Sequence, residues 1–104
     1  EKLISKNVIA SMKKTSYLIN VSRGTVIEEK ALINSLKNNK IKGAALDVFF
    51  NEPKINPIFK KLNNVILHPH HGSGTIETRN AMAQLSCMNL INFFKKGKPL
   101  HKVI

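Results

Sequence analysis

Three short apolar runs constrain this chain more than any other feature: Tyr17–Val21 (YLINV), Gly43–Phe49 (GAALDVF) and Asn64–Leu67 (NVIL). Each has strand length, and none shows the strict polar alternation of a strand with one wet face. The stretches between them change to helical period. Residues 5–13 (SKNVIASMK) put Val8, Ile9 and Met12 on one side, with Ser5 as the expected N-cap. Residues 28–38 (EEKALINSLKN) align Ala31, Leu32, Ser35 and Leu36, and the acidic start and later lysines suit the helix dipole. The longest helix is expected at 75–96. Thr75 would cap it, Met82, Leu85, Met88 and Ile91 or Asn92 trace a face, and Lys95-Lys96-Gly97-Lys98-Pro99 ends it. The order helix, strand, helix, strand, strand, helix, with strands apolar on both faces, predicts an α/β fold: a parallel sheet flanked by helices.

In such sheets ligands gather beyond the carboxyl ends of the strands. The first strand candidate is followed by Ser22 and Arg23, and it carries Asn20 near its end. The second contains Asp47 and runs on to Asn51-Glu52-Pro53, and the third runs into His68-Pro69-His70-His71-Gly72. If the strands are parallel neighbours, a guanidinium, a carboxylate and an imidazole meet on one edge. Arginine grips a carboxylate through two parallel hydrogen bonds, and histidine carries protons near neutral pH with a neighbouring carboxylate to fix its ring. Each residue taken singly has a plainer reading: a surface ion pair for Arg23, a turn for Glu52-Pro53, solvated rings for the histidines. Asn20 and Ser22 read as local turn partners of the backbone.

Composition narrows the classes. At 104 residues with net charge +11 the chain is one domain or part of one, and strongly basic. Lysine supplies nearly all the charge, Arg23 and Arg79 being the only arginines, and it is scattered in pairs rather than gathered in a stripe. Base readout favours arginine and single-strand binding favours exposed aromatics, so no nucleic-acid partner is expected. No apolar run nears the roughly 20 residues that span a bilayer, and no membrane role is expected. Cys87 is the single cysteine, which excludes an internal disulfide and a cysteine-based zinc cluster and fits a reducing, cytoplasmic setting. Its apolar surroundings predict a buried, inert thiol, and Phe93-Phe94 likewise reads as core. His70 and His71 are adjacent and no H-x-x-x-H spacing exists, so no metal is expected. The start carries neither an initiator Met nor a signal-like run, and the expectation is a chain taken from inside a longer one.

Two blocks, LINVSRGTVIEEKALINSLKNNKIKGAALDVFFNEP and NVILHPHHGSGTIETR, closely resemble the nicotinamide-binding domain of the D-isomer-specific 2-hydroxyacid dehydrogenases. The run HPHHGSGTIETRNAMAQL is most similar to the branch of hydroxypyruvate, glyoxylate and hydroxyphenylpyruvate reductases. The resemblance implies a Rossmann-like fold, NAD or NADP as cofactor, and a small 2-keto or 2-hydroxy acid as substrate. It implies that Arg23 holds the substrate carboxylate and keto oxygen, that His70 is the acid/base, and that Glu52 is its paired carboxylate. Related formate dehydrogenases carry Gln where Glu52 stands, so the glutamate favours hydroxyacid chemistry. Asp47 matches an aspartate near the nicotinamide amide. Val21, Ser22 and Arg23, with His70, His71, Gly72 and Ser73, match cofactor-contact segments. The full-length relatives are usually homodimers.

The sequence contains no G-x-G-x-x-G. The family carries that turn upstream, so residues 1–104 are expected to be the C-terminal part of the cofactor domain, the second half of its sheet, without the first half or the substrate domain. By itself such a chain is expected to be inactive. Two other readings stay open at this point: a cofactor-sensing, corepressor-like binding protein of the same fold, and a gene remnant without function.

Overall fold

The computed structural model describes residues 2–102. The chain divides into two compact units, Glu1–Gly72 and Ser73–Ile104. The first holds α1 (Lys6–Ala10), β1 (Tyr17–Asn20), α2 (Glu29–Lys37), β2 (Gly43–Leu46) and β3 (Val65–Leu67), and the second holds α3 (Ile76–Lys96). The strands form one sheet in the order β1-β2-β3, all parallel, with Asn20 opposite Leu46 and Leu46 opposite Leu67. An α/β fold with three parallel strands is therefore what the apolar runs build, β1 and β3 each one residue shorter than its run and β2 three residues shorter.

Alternation decides what the sheet buries. Leu18 of β1 and Ala44 and Leu46 of β2 point into a core completed by Ile9 of α1, Leu32, Ile33 and Leu36 of α2, and by Ile27, Ile41 and Phe59. Full burial of such side chains contributes about 1.5–3 kcal/mol each. The opposite face carries Ile19, Ala45 and Ile66, which the register sets in a row, and Ile19 and Ile66 are 71% and 70% exposed. The runs read as apolar on both sides, yet helices α1 and α2 cover a single side.

Further expectations are corrected at both ends of the chain. Ser5 makes no side-chain cap, and Val8 is exposed. The amide of Lys6 instead donates to the Glu28 carboxylate at 2.9 Å, because a parallel bridge between Ile4 and Ile27 brings residue 28 beside the helix start. Cys87 is exposed rather than buried, and Phe93 and Phe94 are 50% and 82% exposed. Helix α3 buries no residue. Its own unit is one helix with short flanks, and a lone helix has no second layer against which to hide an apolar stripe. The ends of α3 follow the sequence: Thr75 Oγ1 accepts the Thr78 amide, and Gly97 at φ 71° closes it in the left-handed region.

Candidate active site

The three strand ends lie on one edge. Adjacent strands run about 4.8 Å apart, so β1 and β3 are separated by about 10 Å across β2. Polar side chains a few residues beyond each can therefore share one small volume.

Beyond β1 the backbone is braced by Asn20, which is 6% exposed. Its Oδ1 accepts the Ser22 amide at 3.1 Å, and its Nδ2 donates to the Arg23 carbonyl at 3.0 Å. The turn role read for Asn20 and Ser22 is the one they play. Arg23 is exposed, and its Nη1 donates to the Ser22 carbonyl at 2.7 Å. Among the described residues no carboxylate lies within ion-pair distance of it. Gly24 follows for a steric reason: a Cβ there would stand 1.9 Å from the Phe49 carbonyl carbon. The chain after β1 is thereby pressed against the chain after β2.

Beyond β2, Glu52 is tied at both oxygens. Oε1 accepts the Phe49 amide and Oε2 accepts from His70 Nδ1, each at 2.8 Å. The bond from His70, then the Phe49 amide, and the Arg23 charge as a smaller contribution hold the Glu52 carboxyl below its ordinary range. An ionised carboxylate only accepts, so His70 Nδ1 carries the hydrogen and Nε2 is the ring nitrogen left for other chemistry. His70 itself sits at φ 57°, a conformation uncommon outside glycine.

Asp47 is 5% exposed and takes three donors. Oδ1 accepts from His68 Nδ1 at 2.6 Å and from the His71 amide at 2.8 Å, while Oδ2 accepts the Gly72 amide at 2.7 Å. The His68 bond, opposed by burial and reinforced by the two amides, lowers its pKa to about 2. The bond between Asp47 and His68 escaped the reading of the sequence. A strand-terminal aspartate and a histidine 21 positions later meet only through the β2–β3 register, and no local pattern announces that.

A cavity of about 460 Å³ opens beside Glu52 and His70, lined also by Phe49, Ile55, Lys60 and His68. Arg23 does not line it. Val21, Ser22, His71 and Gly72 are exposed along the same edge, and Ser73 opens the second unit. No group of three metal-ligating side chains gathers among the described residues, and none of their helices is long and apolar enough to cross a membrane.

Known proteins share this arrangement of the chain. The sequence model of the D-isomer specific 2-hydroxyacid dehydrogenase, NAD binding domain, matches residues 1–72. A 2-ketogluconate reductase of Gluconobacter oxydans is 44% identical over 102 residues, 98% of this chain and 33% of the relative. A solved NADPH-dependent glyoxylate/hydroxypyruvate reductase of Sinorhizobium meliloti, in complex with NADP and malonate, is 40% identical with a TM-score of 0.89, over 98% of this chain and 32% of that one. A glyoxylate reductase of Paecilomyes thermophila reaches a TM-score of 0.90 at 35% identity, again over 98% of this chain and 31% of the other. The chain spans about a third of the length of such relatives. It belongs to the D-isomer-specific 2-hydroxyacid dehydrogenases, residues 1–72 matching their NAD-binding domain.

Proposed function

We propose that this chain provides the substrate-gripping and proton-transferring part of an NAD(P)-dependent reductase of small 2-keto acids, of the glyoxylate or hydroxypyruvate type, giving the D-2-hydroxy acid. The observation that carries the reading is the 2.8 Å bond between His70 and Glu52, at the strand edge where Arg23 follows three residues after the end of β1. Arg23 has no carboxylate partner among the described residues, and its charge helps to hold the Glu52 carboxyl below its ordinary range.

The nicotinamide end of a cofactor fits this edge. The exposed residues Val21, Ser22, Arg23, His70, His71 and Gly72 line it, and Asp47 retains lone-pair capacity for an amide after its three bonds. Bound NAD(P)H would supply the hydride to the keto carbon. The chain's own groups do the rest. Arg23 holds the substrate carboxylate and keeps a donor at the keto oxygen. As the carbonyl π electrons move onto that oxygen, His70 Nε2 delivers a proton and the hydroxyl forms. Ionised Glu52 fixes the ring through Nδ1 and compensates the imidazolium charge. In the oxidative direction Nε2 takes the proton back. We place this chemistry in a longer, cytoplasmic, homodimeric protein in which residues 1–104 form the C-terminal part of the cofactor domain. The absence from the sequence of any G-x-G-x-x-G, the turn that cradles a pyrophosphate in such folds, supports that division.

The test is kinetic. In the longer enzyme His70→Ala should lower kcat for glyoxylate and hydroxypyruvate by roughly 10²–10⁴-fold. Arg23→Ala should raise KM and lower kcat together, since the lost grip serves both binding and reaction. Unchanged rates in both variants would remove the assignment. The 104-residue chain alone should not oxidise NADPH with either keto acid, and clear turnover by it would overturn the division of labour.

A further inference from the structure

The stretch from residue 68 to residue 72 is fastened to a single buried carboxylate on both sides of His70. Asp47 receives the side chain of His68 before it and the amides of His71 and Gly72 after it. Pro69, between the two histidines, has no N–H to give and a fixed φ. Pro69 aside, His70 is thus the one residue of the five that makes no bond to Asp47, and its ring goes to Glu52 instead; the His68 backbone amide is spent on the Leu46 carbonyl.

We propose that His68, acting through Asp47, is a positioning residue for His70: the strap forces residue 70 into its left-handed backbone and so aims its ring at Glu52. Three features make the strap stiff. A Cβ at Gly72 would stand 2.9 Å from Asp47 Oδ2, so the carboxylate approaches that backbone as closely as glycine permits. His68 is exposed through 56% of its side chain, yet its Nδ1 is fixed at 2.6 Å on an oxygen shielded from water. Its ring also meets the His71 ring edge-on, centroids 5.7 Å apart. A left-handed backbone is unfavourable for histidine, and neighbours that over-determine the turn can hold it there. The Asp47 carboxyl is lowered chiefly by His68, consistent with that bond being the strongest of the three. The consequence for catalysis rests on reading His70 as the proton carrier, but the geometry does not.

The experiment uses His68→Ala, His68→Gln and His68→Asn. An asparagine amide can take the place of Nδ1, whereas the longer glutamine places its donor where Nε2 was. In the 104-residue chain, ¹⁵N spectra of the His70 ring should show hydrogen on Nδ1. Alanine and glutamine should shift that signal and the residue 70 backbone coupling, and asparagine should preserve both. In the longer enzyme alanine and glutamine should lower kcat on the order of tenfold with KM little changed, and asparagine should restore it. If alanine unfolds the chain, the asparagine–glutamine pair carries the comparison at nearly constant size. His70 signals indifferent to alanine and glutamine would overturn the proposal, as would equal loss of kcat in all three variants. If His70→Ala leaves reduction intact while His68→Gln still disturbs the His70 ring, positioning stands and the proton-carrier reading falls.

Discussion

His70 and Asp47 illustrate how a single side chain gains its character from what surrounds it. The imidazole of His70 is oriented by a carboxylate whose other oxygen is already committed to the Phe49 amide, so Glu52 cannot swing away without losing both bonds. Asp47 is held more tightly still, with a pKa lowered from 3.8 to about 2 by His68 and two amides. A carboxyl with a depressed folded pKa stabilises the fold above its unfolded value, and that contribution fades as pH falls toward the folded one. Wild-type stability should therefore drop between pH 3.8 and about 2 more steeply than that of Asp47→Asn. At neutral pH the variant should be the less stable of the two, since an amide cannot accept at both positions. Urea midpoints for the two proteins at pH 7, 4 and 2.5 check this; parallel pH dependence would show that Asp47 is no anchor. The presence of Arg23, Glu52 and His70 beyond the strand ends was legible from the apolar runs that precede them. The His68–Asp47 bond was not, because it depends on which residues the register sets opposite one another.

At the scale of elements, the site depends on how closely two loops can approach. The segment after β1 lies against the segment after β2 because residue 24 has no side chain, and the atoms a Cβ would meet are backbone of Phe49 and Phe50. Backbone cannot rotate aside as a side chain can. Gly24→Ala should cost about 3 kcal/mol, the upper part of the range for overpacked sites. It should also displace Glu52, whose Oε1 is bonded to the Phe49 amide. Chemical denaturation reads the first effect, and loss of the Nδ1-bonded state of His70 by NMR reads the second. A stable variant with an unmoved His70 would mean that the two loops are not mechanically linked. The same scale shows what periodicity could and could not reveal. Helix α3 begins and ends where its cap and glycine indicate, since those signals are local. The start of α1 is satisfied by Glu28, 22 residues away, and Phe59 reaches the core from a three-residue 3-10 turn that no periodic pattern announces. Both outcomes belong to tertiary packing, which a window of neighbouring residues does not contain.

At the scale of the molecule, the first unit by itself covers its sheet on one side. Ile19, Ala45 and Ile66 stand in register across β1, β2 and β3, flanked by exposed Tyr17 and Val21, above a depression of about 510 Å³ that Lys42 and Asn63 border. Strands apolar on both faces are the mark of a sheet made for two helical layers, and here α1 and α2 supply one. An exposed apolar patch of this kind draws hydrophobic dyes and tends toward association. The 104-residue chain should therefore enhance ANS fluorescence while keeping its helix and strand content. Ile19→Thr with Ile66→Thr should remove most of that signal. Threonine keeps the β-branch that suits a strand, and neither isoleucine loses much packing, so the denaturation midpoint should move by no more than about 0.5 kcal/mol per site. The opposite pattern, unchanged dye binding with a large loss of stability, would mean that these side chains are covered in solution. The fold would then owe to that face the stability that is here assigned to Leu18, Ala44, Leu46 and the helices packed on them.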